Sequence, residues 1–165
     1  MVNSLGMNKR ALAKKIIAKL TDDLTLSIKA ARTAHEEATH EQNKAEDKYD
    51  TRGLEAAYLA SGQAKQAAET EQATAQYDSL ALRNFGPKDP IDLTALVELE
   101  SDGERIFYFL GPTSGGLEFT HDGKQMLVIT PQSPLGQNLI GRKKGDKVKM
   151  KIGGLPVEYR VVSVR

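Results

Sequence analysis

An α+β protein is predicted: a long antiparallel α-helical hairpin packed as a coiled coil, then a small antiparallel β domain with one short helix. Three observations predict it. Between Asn8 and Arg83 there is no Pro, and the only Gly are Gly53 and Gly62. Within that stretch Leu12, Ile16, Leu20, Leu24 and Ile28 recur every fourth residue, the spacing of one helix face. Beyond Gly86 the pattern changes: all 6 Pro and most Gly lie there, separating short Val, Ile and Phe runs of strand length.

The first half is rich in Ala, Glu, Gln, Lys and Leu, good helix formers. A helix over Lys9–Lys48 would be roughly 60 Å long at about 1.5 Å per residue. Ile17 lies beside its stripe, and Ala31, Ala34 and Ala38 continue it at lower bulk. One such helix cannot bury the stripe alone. Leu54, Ala57, Tyr58, Ser61, Ala64 and Ala68 offer a second stripe, continued less regularly by Ala75 and Leu80. Tyr49-Asp50-Thr51-Arg52-Gly53 separates the two runs; Gly53 is suited to a positive φ and Asp50 to capping the second helix. The result is an antiparallel hairpin whose Ala-rich distal seam makes a slender tip. Residues 1–85 are thus assigned to the hairpin, with its tip near 47–55, residues 86–91 to a linker, and residues 92–165 to the β domain.

In that domain Ala95–Glu100 and Arg105–Leu110 read as strands joined by the turn Ser101-Asp102-Gly103-Glu104. Lys124–Thr130 is a third apolar run. Ser133–Gly141 suits one or two helical turns. Lys147–Ile152 and Val157–Val164 flank Gly153-Gly154 as a closing hairpin.

Composition agrees with an elongated part beside a compact one. Hydrophobic residues make up 39% and aromatics 5% of 165 residues, too few for one thick core. The net charge of +1 singles out no polyanionic partner. With no Cys, disulfides and Cys-based zinc sites are excluded. No apolar run approaches the roughly 18 residues of a membrane span, and Met1–Met7 reads as a frayed leader, so the chain is expected to be soluble and intracellular. Charge is unevenly distributed. Residues 1–32 carry Lys9, Arg10, Lys14, Lys15, Lys19, Lys29 and Arg32 against Asp22 and Asp23. Residues 33–55 carry Glu36, Glu37, Glu41, Glu46, Asp47, Asp50 and Glu55 against Lys44, Lys48 and Arg52. The hairpin is therefore basic towards its base and acidic towards its bend: either solvated faces, or a probe whose negative end seeks metal or positive surface.

Several enzyme signatures are missing. His35 and His40 are five apart, one too many for the zinc-protease spacing, and read as surface residues. His121, in Thr120-His121-Asp122-Gly123, reads as part of a turn. Ser114-Gly115-Gly116 lacks the Lys and Ser/Thr of a phosphate loop. Arg142, Lys143, Lys144, Lys147, Lys149 and Lys151 form a basic run. It is either exposed strand faces and a turn, or a contact for nucleic acid or an acidic protein rim.

The segment Thr130–Val148, containing Ser133-Pro134-Leu135-Gly136, Leu139-Ile140-Gly141-Arg142 and Gly145-Asp146-Lys147-Val148, resembles the C-terminal signature of the Gre transcript-cleavage factors, GreA and GreB. The order of hairpin, Pro/Gly linker and β-rich domain is similar too. This resemblance implies an FKBP-like C-terminal domain that docks at the rim of the secondary channel of a bacterial RNA polymerase, through Gln132, Ser133 and Pro134. It implies a hairpin that enters the channel, with acidic tip residues helping to hold a catalytic Mg²⁺ of the polymerase, which then hydrolyses backtracked RNA. The chain would be a cytoplasmic, monomeric accessory factor rather than an enzyme. It would have no cofactor of its own, would touch nucleic acid only within the elongation complex, and would have no membrane partner.

At the tip the family carries two acids three residues apart. Asp50 matches the first, and the second falls on Gly53; Glu55 is the next carboxylate, with Glu46 and Asp47 just before. Tyr58 resembles a family Tyr shifted by one residue. Asp50 and Glu55 are therefore the candidate Mg²⁺ co-ligands, and Glu46 and Asp47 the secondary ones. The altered spacing also admits a channel-binding regulator that acts without cleavage. Two other readings compete: a coiled-coil adaptor, and a prolyl isomerase whose aromatic candidates are Phe107, Tyr108, Phe109, Phe119 and Tyr159.

Overall fold

In the computed structural model the described residues are 8–42 and 49–165; side chains at 38–42, 49–52 and 55 lie outside that description. Two helices, α1 (Lys9–Gln42) and α2 (Tyr49–Asp78), precede six strands: β1 (Leu96–Ser101), β2 (Glu104–Leu110), β3 (Glu118–His121), β4 (Lys124–Ile129), β5 (Lys147–Ile152) and β6 (Leu155–Val164). A short helix, α3 (Pro134–Leu139), sits between β4 and β5. The chain divides into two compact units, one of Met1–Ile16 with Gln76–Arg165, the other Ile17–Ala75. The division does not follow the Pro/Gly boundary at residue 86, because the roots of both helices pack with the sheet.

Within the helical unit the stripe on α1 holds as expected: Leu20, Leu24, Ile28 and Ala31 are half-buried, while Ala34 is exposed. His35, expected at the surface, is half-buried on the same stripe. On α2 the half-buried or buried positions are Leu59, Gln63, Ala67, Thr70 and Ala73. The expected stripe is offset from them by about one residue, so Leu54 and Tyr58 are 55% and 69% exposed. With Ala at so many positions of α2, apolar count discriminates poorly between faces. The two helices also meet through polar pairs: Ser27 Oγ donates to Gln66 Oε1 (3.1 Å) and Gln63 Nε2 to the Ile28 carbonyl (3.5 Å). Tyr49–Gly53 opens α2 rather than forming a turn, and Gly53 is not among the positive-φ glycines.

The sheet order is β3-β4-β2-β1-β6-β5. Three two-residue turns set its hairpins. Asp102-Gly103, Asp122-Gly123 and Gly153-Gly154 all have positive φ at both positions, as the twist-matched hairpin turn requires. The expected purely antiparallel sheet has one exception: β2 and β4 pair in parallel, Phe107 opposite Met126 and Leu110 opposite Ile129. The four-residue β3, which the sequence reading missed, makes this possible by returning the chain along the outer edge of β4. His121 closes β3 and is buried, rather than sitting in the turn that follows it.

Alternation along the strands gives the sheet two apolar faces. One gathers Val97, Leu99, Tyr108, Leu110, Ile129, Val148 and Val161 with Leu139 of α3, with Phe85 just before the linker and with Ile91 at its end. The other carries Phe107, Phe109, Met126 and Val128, all buried. Tyr77, at the end of α2, lies against this second face, its ring 6.5 Å from that of Phe109 and its hydroxyl donating to the Thr113 carbonyl (2.7 Å). Gly111 makes room for it, since a Cβ there would run into the Tyr77 hydroxyl.

The root of α1 is fixed by charge. Asn8 caps it, accepting from Ala11 N (3.1 Å). Lys9, only 7% exposed, donates to the carbonyls of Arg83 (2.6 Å) and Thr94 (2.7 Å) and lies 4.7 Å from the centre of the Phe85 ring. Arg10 donates to the carbonyls of Asp78 and Leu80, supplying the positive charge that the last turn of α2 lacks.

Burial, and then the neighbouring Arg83 guanidinium, pull the Lys9 ammonium down to about 8. A base whose pKa falls on folding binds its proton more tightly in the unfolded chain, so its charge opposes folding below pH 8 and this burden lifts as pH rises. Burial raises Tyr77 and Tyr108, which reverses the slope once unfolded tyrosines ionise near pH 10. Urea titrations of the wild type should therefore show a gain of about 1–2 kcal/mol between pH 8 and 10, and Lys9→Met should abolish that gain.

Candidate functional site

The candidate docking segment lies where β4 gives way to α3. Pro131 and Pro134 lack N–H donors, so this stretch cannot extend the ladder. The chain turns instead, with Ser133 N donating to the Thr130 carbonyl (3.1 Å). Ser133 is the N-cap of α3. Its Oγ accepts from Gly136 N (3.1 Å) and donates to the Thr130 carbonyl (2.7 Å), so one hydroxyl closes the turn and starts the helix. Pro134 occupies the first helical position, where its fixed φ suits the helix and no donor is lost.

Three further contacts make the segment rigid. Gly136 is buried so close to the Thr130 carbonyl that a Cβ would collide with it. Gln137 Nε2 donates to the Gln132 carbonyl (3.1 Å), and Asn138 Nδ2 to that of Pro134 (2.8 Å). At the far end Gly141, with φ 86°, ends the helix, and its N–H donates to the Ile91 carbonyl (2.9 Å) while Ile91 N donates to that of Arg142 (2.7 Å). Leu139 is buried in the core, whereas Gln132 and Pro134 are exposed and Ser133 is half-buried. The arrangement is preorganised: Gln132 and Pro134 face solvent, and the Ser133 hydroxyl is consumed in holding the turn.

The tip residues are placed less fully. Glu46 and Asp47 lie outside the described residues. The backbone carries Asp50 and Glu55 on α2, where positions five apart are about 140° apart around the axis. Mg²⁺ requires near-octahedral oxygens at about 2.0–2.1 Å, and one helix brings two carboxylates together only from positions three or four apart. The side chains of Asp50 and Glu55 lie outside the described residues. Among the described residues no group of three metal-ligating side chains occurs.

Of the five aromatics weighed for an isomerase, Phe107, Tyr108, Phe109 and Phe119 are buried. Tyr108 and Tyr159 line a cavity of about 210 Å³ with Leu99, Ile106, Asp102 and Glu104. Burial, with the Tyr159 hydroxyl beside it, pushes Tyr108 up to about 12, so the hydroxyl stays protonated at neutral pH. At the same end of β1 but on its opposite face, Glu100 accepts from Arg160 Nη2 (2.8 Å) and Arg105 Nε (2.9 Å), which together hold its carboxyl below the usual range. The sequence reading missed this bridge across three strands; each residue is an ordinary surface charge until β6 is laid beside β1.

Residues 87–165 match the family model for Transcription elongation factor, GreA/GreB, C-term. Among solved structures the chain is similar to GreA factor homolog 1 (Gfh1) of Thermus thermophilus, at 25% identity over 87% of this chain and 93% of that one, with a TM-score of 0.37. It is similar to Gfh1 of Thermus aquaticus at 25% identity, covering 90% and 95% of the two chains with a TM-score of 0.38. It is also similar to a prokaryotic transcription elongation factor GreA/GreB from Nitrosomonas europaea, at 20% identity over 58% and 77%, with a TM-score of 0.36. No curated protein sequence matches the chain. No helix among the described residues is long and apolar enough to cross a membrane.

Replacing the cap hydroxyl by Ser133→Ala should lower stability by about 1 kcal/mol. Gly136→Ala should cost more, because the Thr130 carbonyl has to move. Urea midpoints of the two variants, measured side by side, give the order.

Proposed function

We propose, from the premise that residues 87–165 form a GreA/GreB C-terminal domain and the chain is a Gre-type factor, that it binds a bacterial RNA polymerase at the secondary-channel rim and sends its hairpin into the channel. The observation that carries this reading is the rigid cap at Ser133, which holds Gln132 and Pro134 exposed in the segment where the family signature lies. In this reading the protein is a cytoplasmic accessory factor: the polymerase performs the chemistry and supplies the Mg²⁺.

Two outcomes at the tip follow from docking. In one, Asp50 and Glu55, with Glu46 and Asp47 nearby, stimulate cleavage of backtracked RNA. In the other, the hairpin occupies the channel and alters elongation without cleavage. The second is favoured by a specific observation. The second-acid position falls on Gly53, inside α2, and the nearest downstream carboxylate is on a different helix face from Asp50. A five-residue spacing departs from the family's three, and metal-assisted hydrolysis requires ångström-scale placement of its carboxylates.

A stalled elongation complex with Mg²⁺ tests both parts. Saturating protein should change the extension rate while leaving RNA lengths unshortened, and Pro134→Ala with Gln132→Ala should weaken the effect about tenfold or more. Shortened transcripts that disappear with Asp50→Ala or Glu55→Ala would establish the cleavage reading instead. Identical extension with and without the protein would defeat both.

A further inference from the structure

We infer that the outward face of β5, with the loop that leads into it, is a docking surface for the phosphate backbone of duplex DNA. The inference goes beyond polymerase docking and does not depend on it. Within Arg142–Lys151 stand six cations, Arg142, Lys143, Lys144, Lys147, Lys149 and Lys151, and one acid, Asp146. The whole chain has a net charge of +1, so this stretch holds a local excess that the rest of the molecule offsets.

The fold turns a basic run into a row. Val148 is buried and pairs with Tyr159, which fixes the register and sends Lys147, Lys149 and Lys151 to the opposite face, all three exposed. Alternate residues of a strand are about 6.8 Å apart, so the row extends roughly 14 Å. Duplex DNA, which carries one negative charge per about 1.7 Å of axis, places several phosphates within that span. Arg142, Lys143 and Lys144 extend the row as exposed loop residues.

The acids nearby are already engaged. Asp146 accepts from Lys143 N (2.9 Å), fastening the loop. Glu158 meets Lys149 at 3.7 Å, an exposed pair that solvent screens. Glu100, on the same face, is held by Arg105 and Arg160. Among the described residues Lys143, Lys144, Lys147 and Lys151 have no carboxylate partner.

Lysines on an edge strand also discourage sheet-to-sheet pairing. That role does not call for the three loop cations, and any charge would serve it. Duplex is favoured over single strands because the row and its neighbours on β6, Pro156, Glu158 and Arg160, include no aromatic on which unpaired bases could stack.

Fluorescence anisotropy of the full chain with a labelled random-sequence DNA duplex tests the proposal. The expected Kd lies between about 1 and 100 μM at physiological salt, with log K falling against log salt at a slope of about −4. K147E/K149E/K151E, which keeps the edge charged, should bind at least about tenfold more weakly and flatten the slope by about 3. K147Q/K149Q/K151Q should do the same in smaller measure, and K147R/K149R/K151R should bind like wild type. A wild type that leaves duplex unbound, or a charge-reversed variant with unchanged slope, overturns the proposal, as does tighter binding to single strands than to duplex. If the reversed variant instead loses polymerase binding while the wild type ignores duplex, the row serves an acidic protein surface and the DNA reading is wrong.

Discussion

A six-stranded sheet with apolar side chains on both faces has to be covered twice, and most of this structure follows from how that is done. One face is closed by α3, the linker and the residue just before it, through Leu139, Ile91 and Phe85. The other receives Tyr77 from the end of α2, with Gly111 left bare of a Cβ to admit it. Once Tyr77 is seated, the roots of both helices are committed to the sheet. The buried ammonium of Lys9 then has to find carbonyl partners, because an unpaired charge there would cost more than the core could offset. It finds them at Arg83 and Thr94, one on either side of the linker.

The same covering requirement shapes the proposed docking segment. Leu139 anchors α3 in the core, Gly136 lets the helix approach the end of β4, and Ser133 closes the turn. Little conformational freedom is left in the backbone that presents Gln132 and Pro134, so a partner binding there loses little entropy in ordering it. On the sheet's far edge, burial of Val148 forces the lysines of β5 outward. In both places the exposed side chains are oriented by a buried neighbour rather than by one another.

Much of this was legible beforehand. The α1 stripe, the strands at β2, β4 and β5, and the helix after Ser133 all appear close to where periodicity and turn chemistry put them. The α2 seam did not. Its inward positions include Gln63 and Thr70, and in an Ala-rich helix the apolar residues do not mark a single face. The strand β3 escaped because four residues with two apolar positions look like loop until β4 pairs with them. His121 was misjudged for the same reason: beside Asp122-Gly123 it reads as turn, yet pairing with Lys124 places it inside. For the candidate site, Ser133 and Pro134 were readable because capping is local chemistry. The relation between Asp50 and Glu55 was not, since it hinges on whether Tyr49–Gly53 bends or continues as helix.

By itself the sequence determined the fold class, the places where most helices and strands begin, and the cap at Ser133. Those depend on interactions reaching three or four residues along the chain: periodic burial, turn glycines, caps. Tertiary structure alone decided that β2 and β4 run parallel, that the helix roots belong with the sheet, which face of α2 turns inward, and that Glu100 joins Arg105 to Arg160. Each of these depends on partners far apart in the chain, and local preference gives no energy difference between the alternatives until those partners meet.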